Sequence, residues 1–114
     1  MTDFKKLIGE RPLQEMLDAL EAAHQSFCKS RELKILLILE KGALLNAEIN
    51  QFLHLHQSEL KKSFEIMEMH NLITKKALNE KQTKWEYKLT AEGQAGLNVV
   101  YMLLNWQYSK QSKK

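Results

Sequence analysis

Residues 85–93 read Trp85-Glu-Tyr-Lys-Leu-Thr-Ala-Glu-Gly93, and the period of the apolar side chains changes within this stretch. Up to Leu89, apolar and charged residues alternate with a period of two, which is typical of a strand with one buried face. Thr90 can then cap a helix whose apolar residues recur at helical spacing to about Ser109. The stretch therefore predicts a strand that leads directly into a long C-terminal helix.

The residues before this strand predict a partner for it. Residues 73–78 favour a strand, residues 79–82 read Asn-Glu-Lys-Gln and favour a polar turn, and residues 83–89 form the second strand. Trp85, Tyr87 and Leu89 share one face of that strand. The prediction is a small antiparallel β-hairpin with one half-buried face.

Four helices are predicted upstream of the hairpin, over residues 12–28, 30–41, 46–53 and 57–70. Ser30 and Asn46 are the expected caps of the second and third helices, and His54-Leu55-His56 is the turn before the fourth. The second helix is apolar on both sides, so we expect it to be buried nearly all round. Ile49, Phe52 and Leu53 form the apolar side of the third.

The fourth helix places Leu60, Phe64 and Met67 on one buried stripe, at spacings of four and three residues. Asn71 follows it and can adopt the left-handed conformation that closes a helix. The first helix carries an apolar stripe that includes Leu13, Leu17 and Leu20. Further upstream, an apolar turn around Phe4 to Ile8 is either local structure or an arm on a partner subunit.

The last helix has two apolar sides. One consists of Leu97, Val100, Tyr101, Leu104 and Tyr108; the other consists of Val99, Met102, Leu103 and Trp106. A terminal helix covers the core of a small domain with one side only, so the second side needs a partner. The sequence leaves two candidates: the first helix of the same chain, or a second subunit. We expect helices 12–28 and 91–109 to be dimerisation elements, with the second set of residues in the dimer interface.

Length and composition bound the class of protein. With 114 residues, 44% hydrophobic and 27% charged, the chain is expected to form a single globular domain over residues 1–114. One cysteine excludes an intrachain disulfide and a cysteine-based zinc site. The chain start lacks a signal-peptide pattern, and no apolar run reaches the length of about 18 residues that a membrane span needs. A cytoplasmic protein without membrane attachment or cofactor is expected.

The net charge of +3 is unevenly distributed. Residues 1–72 carry 9 basic and 11 acidic groups, whereas residues 73–114 carry 8 basic and 3 acidic groups. Five of these lysines fall within residues 73–90, on the predicted hairpin. Such lysines either contact phosphates or form a solvated edge that prevents strand-to-strand aggregation.

From the second predicted helix onward, the order of three helices, the two-stranded hairpin and the last helix resembles a winged helix-turn-helix. Residues 30–97 are similar to the regulators grouped around MarR, PadR, HxlR and ArsR, most specifically in Trp85 to Gly93, an aromatic strand followed by Leu-Thr, two residues and Gly. The expected fold is mainly α with a small antiparallel β-hairpin and a core at residues 30–97. The chain lacks the Asp-x-Arg pair of many MarR-type wings, the early Cys followed by Gly-Lys-Trp of HxlR-type proteins, and the cysteine pairs of metal-sensing ArsR-type proteins, so the subfamily stays open.

The resemblance implies that the fourth helix enters the major groove of double-stranded DNA. It also implies that the wing, which is the predicted hairpin of residues 73–89, lies along phosphates. The residues expected to contact DNA are Gln57, Ser58, Lys61, Lys62, Lys75, Lys76, Lys81 and Lys84. Both arginines, Arg11 and Arg31, lie outside the fourth helix, while Glu59 and Glu65 would repel the DNA backbone. Modest affinity per subunit is expected, which a homodimer would offset.

The leading hypothesis is a homodimeric transcriptional regulator, a repressor that occupies a pseudo-palindromic DNA site. The alternative is a winged-helix module that binds protein, favoured by the acidic balance of residues 46–72. No catalytic motif is present, so we predict no enzyme activity. His54 and His56 are expected to be solvated rather than metal ligands, and Cys28 a buried hydrophobe rather than a redox sensor. The sequence identifies no small-molecule effector.

Overall fold

The computed structural model describes residues 9–26 and 30–112 of the chain. In that part there are five α-helices and three short strands, and the predicted mainly α architecture is confirmed. Their bounds are α1 Leu13–Ser26, α2 Ser30–Ile38, β1 Leu44–Leu45, α3 Asn46–Leu53, α4 Gln57–Met69, β2 Ile73–Ala77, β3 Trp85–Leu89 and α5 Ala91–Ser112. A 3-10 turn, Leu39–Lys41, extends α2 to Gly42. The apolar turn predicted at residues 4–8, whether local structure or an arm, and the prediction for Cys28 lie outside the described residues.

The sheet has three antiparallel strands in the order β1, β3, β2, so the two-stranded prediction was incomplete. Lys75 pairs with Tyr87 in the predicted hairpin, and Leu44 pairs with Tyr87 on the other side of β3. β1 contains only two residues, which is too short for an alternating pattern to be visible in the sequence. Because β1 directly precedes α3, it ties the start of the helix-turn-helix to the hairpin.

The core lies between α2, α4, the sheet and the first half of α5. Its fully or nearly fully buried side chains include Ile35, Leu36, Leu39, Ile49, Leu60, Phe64, Met67, Tyr87, Leu89, Leu97 and Val100. The predicted stripe of α4 is thus confirmed. The all-round burial predicted for α2 is wrong at Leu37, which is 37% exposed, and Phe52 is 68% exposed rather than packed. In α3, Ile49 is buried and Leu53 packs against the core, so Phe52 is left on the outer side of that short helix.

Side-chain hydrogen bonds close the turn between α3 and α4. The amide of Asn50 donates to the carbonyl of Leu55 and accepts from the Leu55 N–H, each at 2.9 Å. His54 adopts the left-handed conformation at the end of α3, with a φ of 56°. The prediction that Asn46 caps α3 is wrong. Leu45 takes that position, and its N–H donates to the Glu48 carboxylate at 2.9 Å. These bonds fix the angle at which α4 leaves α3.

Thr90 joins the wing to α4 and α5. Its N–H donates to the Leu72 carbonyl at 3.1 Å, and its hydroxyl donates to the Asn71 carbonyl at 2.5 Å and accepts the Gly93 N–H at 3.0 Å. The predicted cap of α5 is therefore confirmed, as is the left-handed conformation of Asn71, whose φ is 60°. Thr90, the N-terminal cap of α5, thus also binds Asn71 and Leu72, which lie just after the end of α4.

Gly93 lies directly against the carbonyl of Leu72, and a Cβ at this position would overlap that oxygen. We expect Gly93→Ala to destabilise the fold by at least about 2 kcal/mol, because the overlap exceeds the gain of about 1 kcal/mol that alanine brings to a helix. Urea unfolding measures the change. Gln94→Ala, at the next and exposed position, is the control and should be nearly neutral; equal stability of the two variants would contradict the close approach.

The two terminal helices present exposed apolar faces. In α1, Leu13 is 68% exposed and Leu20 is 69% exposed, and no residue from 13 to 25 is buried. The radius of gyration is 16.3 Å, whereas a compact domain of this length has about 13 Å. The described chain therefore leaves α1 and the outer face of α5 uncovered. None of the described helices is long and apolar enough to cross a membrane.

Candidate nucleic-acid interface

One face of α4 is polar and exposed. Gln57, Ser58, Lys61 and Lys62, the four residues of this helix predicted to contact DNA, are all exposed, and Glu65 lies among them. The opposite face carries the buried stripe, so packing against the core determines which side chains face outward. The first two turns of α4 thus present amide, hydroxyl and ammonium groups, which are donors suited to base edges and phosphates.

Arg31 connects α2 to the exposed half of α4. Its Nη1 atom lies 3.3 Å from the Glu59 carboxylate, and its side chain is only 15% exposed. Glu59 is therefore ion-paired with Arg31, which offsets the repulsion of DNA expected from its charge. Glu65, at the middle of the same face, is an exposed acidic side chain.

A buried carboxylate anchors α4 to α2. Glu32 and Ser63 are both 0% exposed, and the Ser63 hydroxyl donates to the Glu32 carboxylate at 2.9 Å. The Nε atom of Arg31 lies 3.4 Å from the same carboxylate. Sequence reasoning missed this contact, although Glu32 precedes Ile35, Leu36 and Leu39 at spacings of three, four and seven, on their buried stripe.

Removing the Ser63 hydroxyl should be costly because it takes a donor from a buried carboxylate. We expect Ser63→Ala to lower the free energy of unfolding by about 1–3 kcal/mol. Ser58→Ala removes the same group from the exposed face of the same helix and should change stability by less than about 0.5 kcal/mol. Denaturant titration of both variants checks the prediction; equal effects would mean that the Ser63 bond does not stabilise α4.

The strand register separates the wing lysines into groups. Lys75 pairs with Tyr87 and shares its inner face, whereas Lys76 pairs with Glu86, and Lys88 with Thr74, on the outer face. Lys81 and Lys84 are exposed in the loop between β2 and β3. Lys76, Lys81, Lys84 and Lys88 thus point away from the core, while Lys75 lies between the wing and α4.

Lys75 has partners on both sides. Its Nζ atom lies 4.6 Å from the centre of the Trp85 ring and 3.8 Å from a Glu68 carboxylate oxygen. The ammonium group is thus engaged by an aromatic face and a carboxylate, although the side chain is 42% exposed. Of the lysines predicted to contact DNA, Lys75 is therefore placed for a contact inside the chain.

Asn79 organises the tip of the wing. Its side-chain oxygen, Oδ1, accepts the Thr83 N–H at 3.0 Å and the Lys84 N–H at 3.4 Å. Its side-chain nitrogen, Nδ2, donates to the Thr83 hydroxyl at 2.6 Å. Gln82 takes the left-handed conformation, with a φ of 54°. The loop that carries Lys81 and Lys84 is thus shaped by side-chain bonds that a polar turn pattern does not specify.

A groove of about 470 Å³ lies between α4 and the wing. Gln57, Ser58 and Lys61 line it from α4, and Lys75 and Trp85 line it from the sheet. At its floor the Phe64 and Tyr87 rings are stacked, with centroids 3.9 Å apart and an interplanar angle of 18°. The groove therefore brings the polar start of α4 and the inner face of the wing to one surface.

Tyr87 reports on the electrostatics of this groove. Burial of its hydroxyl, followed by the negative charges of Glu68 and Glu65, raises the pKa of Tyr87 from 10.0 to about 12. All three causes disfavour a negative charge on the phenol. Burial at the floor of the groove disfavours any charge, and the carboxylates of Glu68 and Glu65 add to the cost of a negative one.

The residues predicted for the dimer interface form one exposed strip on α5. Val99, Met102, Leu103 and Trp106 are 37%, 43%, 47% and 62% exposed. Beside them an apolar groove of about 200 Å³ separates α2 from α5, lined by Leu37 and Leu103 among others. The opposite side of α5 covers the core through Leu97, Val100 and Leu104. The prediction for that side is wrong at Tyr101 and Tyr108, which are 42% and 62% exposed.

His54 and His56 are both exposed. Among the described residues, no group of three or more His, Cys, Asp and Glu side chains is placed to hold a metal ion.

A helix-turn-helix whose second helix is followed directly by a β-hairpin defines a winged-helix protein. The HxlR-like helix-turn-helix family model matches residues 29–114, and the chain belongs to that family. The subfamily that the sequence motifs left open is thereby assigned. No curated protein sequence matches the chain significantly.

Solved structures of transcriptional regulators share this fold. A protein from Enterococcus faecalis described as a MarR-family transcriptional regulator is 23% identical, with a TM-score of 0.74 over 92% of this chain and 94% of that chain. The reduced form of the transcriptional regulator YodB from B. subtilis is 24% identical, with a TM-score of 0.66 over 77% and 87%. A PadR-family transcription regulator from Clostridium difficile is 25% identical, with a TM-score of 0.60 over 73% and 93%.

Proposed function

We propose that this protein is a homodimeric transcriptional regulator that binds double-stranded DNA through α4 and the wing and acts as a repressor by occupying its site. The observation that carries the proposal is the surface shared by α4 and the wing. Gln57, Ser58 and Lys61 of α4 border the same groove as the inner face of the wing, and the outward lysines of that wing lie beyond it. Membership of the HxlR-like helix-turn-helix family supports the same function.

The chemistry of each side chain suggests which part of the DNA it contacts. Gln57 and Ser58 have uncharged donors and acceptors that read base edges, whereas Lys61 and Lys62 approach bases or phosphates. Lys76, Lys81 and Lys84 contact phosphates along the wing, where each contact releases counterions. Lys75 is assigned a secondary part, because Glu68 and Trp85 already hold its ammonium group.

Dimerisation supplies the second half of the binding surface. The strip formed by Val99, Met102, Leu103 and Trp106, together with α1, is apolar and exposed in the single chain. Two copies related by a twofold axis would present two α4 helices to successive major grooves, about 34 Å apart. A pseudo-palindromic operator follows from that symmetry.

The single-domain chain, residues 1–114, is proposed to work in the cytoplasm without enzymatic activity or a resident cofactor. Its one cysteine suits a reducing compartment.

A protein-binding winged helix is the second candidate function. Phe52 is 68% exposed and Met69 is 74% exposed, and Glu65 interrupts the basic face of α4. Exposed large apolar side chains of this kind suit contacts with another protein.

Selection of genomic fragments bound by the purified protein separates the two functions. The DNA-binding proposal predicts enrichment of fragments that share a pseudo-palindromic motif with half-sites about ten base pairs apart. Random recovery of fragments, together with a protein partner that contacts Phe52 and Met69, would instead favour the protein-binding module. A variant with Phe52→Ser and Met69→Ser is the control, because it should bind DNA normally.

A further inference from the structure

The groove between α4 and the wing has an apolar floor and a charged rim. Its floor is formed by Leu60, Phe64 and Tyr87, and its rim includes Trp85, Glu65 and Glu68. A volume of about 470 Å³ falls within the range of roughly 300–1,000 Å³ that is typical of small-molecule sites. The groove is therefore large enough for a fused aromatic ring system.

An ammonium group of the chain itself already occupies this groove. Lys75 Nζ lies 4.6 Å from the centre of the Trp85 ring and 3.8 Å from the Glu68 carboxylate. An aromatic face with a nearby carboxylate is the combination that recognises organic cations. Because Lys75 reaches the site on a flexible and partly exposed stem, its head group can be displaced without unfolding the wing.

The surrounding charges favour the same kind of ligand. Glu65 and Glu68 line the groove, and both raise the pKa of the Tyr87 hydroxyl in addition to the effect of burial. Lys61 and Lys75 line it as well, so the charge of the groove is negative on balance once the Lys75 ammonium has been displaced. A neutral aromatic molecule would gain only the apolar contacts there. A positively charged one would gain the attraction to both carboxylates as well.

We propose that this groove binds flat aromatic cations, which stack on Trp85 and replace the Lys75 ammonium beside Glu68. The chain contains a built-in comparison: Lys110 Nζ lies 4.4 Å from the centre of the Trp106 ring, on the exposed face of α5. Trp106 is 62% exposed and does not line the groove. Stacking on an exposed tryptophan alone would therefore affect both indoles, whereas the proposed site affects Trp85.

Binding of such a cation would compete with DNA, a consequence that rests on the proposed function. Gln57, Ser58 and Lys61 line the same groove from α4. A ring system lying between Trp85 and these side chains would occupy the space that a DNA backbone needs to approach the start of α4. The cation would therefore act as an inducer of a repressor.

Titration of the wild-type protein with N-methylquinolinium, followed by NMR of the two indole N–H groups, tests the site. Uncharged quinoline is the matched probe without the positive charge. We expect saturable shifts of the Trp85 signal with N-methylquinolinium, at least roughly tenfold weaker binding of quinoline, and little change at Trp106. No shift at millimolar N-methylquinolinium, or equal responses to both probes or at both indoles, would overturn the proposal.

Three variants identify the groups responsible. Glu68→Gln should weaken N-methylquinolinium binding by roughly tenfold, and Lys75→Met should strengthen it by removing the resident ammonium. Lys88→Met removes the same charge from the outer face of the wing and is the control for Lys75→Met. Equal affinities of Lys75→Met and Lys88→Met, or unchanged affinity in Glu68→Gln, would contradict the displacement of Lys75.

Because these titrations contain no DNA, their outcome is independent of the proposed function. Addition of N-methylquinolinium to a complex with duplex DNA then tests the competition. If the protein binds the cation but no duplex, the proposed regulator function is refuted and the proposed cation site still stands. If the protein binds duplex DNA but the Trp85 signal does not respond to the cation, the cation site is refuted and the proposed regulator function still stands.

Discussion

Reversing Lys81 and Lys84 to glutamate is expected to weaken duplex binding by roughly a hundredfold or more at about 50 mM salt. Both side chains are exposed in a wing tip that Asn79 holds through three hydrogen bonds, so the change removes phosphate contacts without removing core packing. In a dimer four contacts are lost. The slope of log affinity against log salt should therefore become shallower by roughly three to four.

The matched control reverses Arg11 and Lys110, which lie before α1 and in the last turn of α5. Its net charge equals that of the wing variant, so it measures the effect of overall charge alone. Light scattering first establishes that both variants keep the mass of the wild type, and fluorescence anisotropy with a labelled duplex then gives the affinities. Equal losses in the two variants would show that the wing makes no specific phosphate contacts.

Leu103→Glu combined with Trp106→Ala is expected to convert the proposed dimer into a monomer. Leu103 and Trp106 are 47% and 62% exposed in the single chain, so the change leaves the core intact while placing a charge in the proposed interface. The mass measured by light scattering should fall to 13.3 kDa. DNA affinity should fall by roughly a hundredfold or more, since two linked half-site contacts are replaced by one.

Gln94→Glu combined with Asn98→Ala is the control for this pair of substitutions, because it introduces a carboxylate on the polar side of the same helix. This variant should remain dimeric. A wild type that is already monomeric at micromolar concentration would contradict the dimer, and with it the expected pseudo-palindromic site.

The sequence predicted those elements whose period is visible over several residues. α4 and β3 are examples, because Leu60, Phe64 and Met67 recur at helical spacing and Trp85, Tyr87 and Leu89 alternate. The strand Leu44–Leu45 could not be predicted in this way, since two residues define no period. Thr90 was recognised as a cap, but its bonds to Asn71 and Leu72 depend on a tertiary approach that the local pattern does not contain.

The DNA contacts named from the sequence stay predictions, and the internal contacts of the candidate site were not predicted. All eight residues named for DNA contact are exposed or partly exposed, as the surface of α4 and the wing requires. Lys75 was grouped with the other wing lysines, although its alternation with Ile73 and Ala77 places it on the inner face. The Glu32 contact with Ser63 joins residues 31 positions apart, and a long-range pair of this kind has no signature in a single sequence.

A dimer of this chain is proposed to bind duplex DNA through α4 and the wing. Anisotropy titrations of a labelled duplex recovered by genomic selection, at salt concentrations from about 50 to 200 mM, test it most directly. We expect two chains per duplex and an affinity that falls by roughly a thousandfold over that range. Failure to retain either random or genomic duplex at about 50 mM salt would contradict the claim.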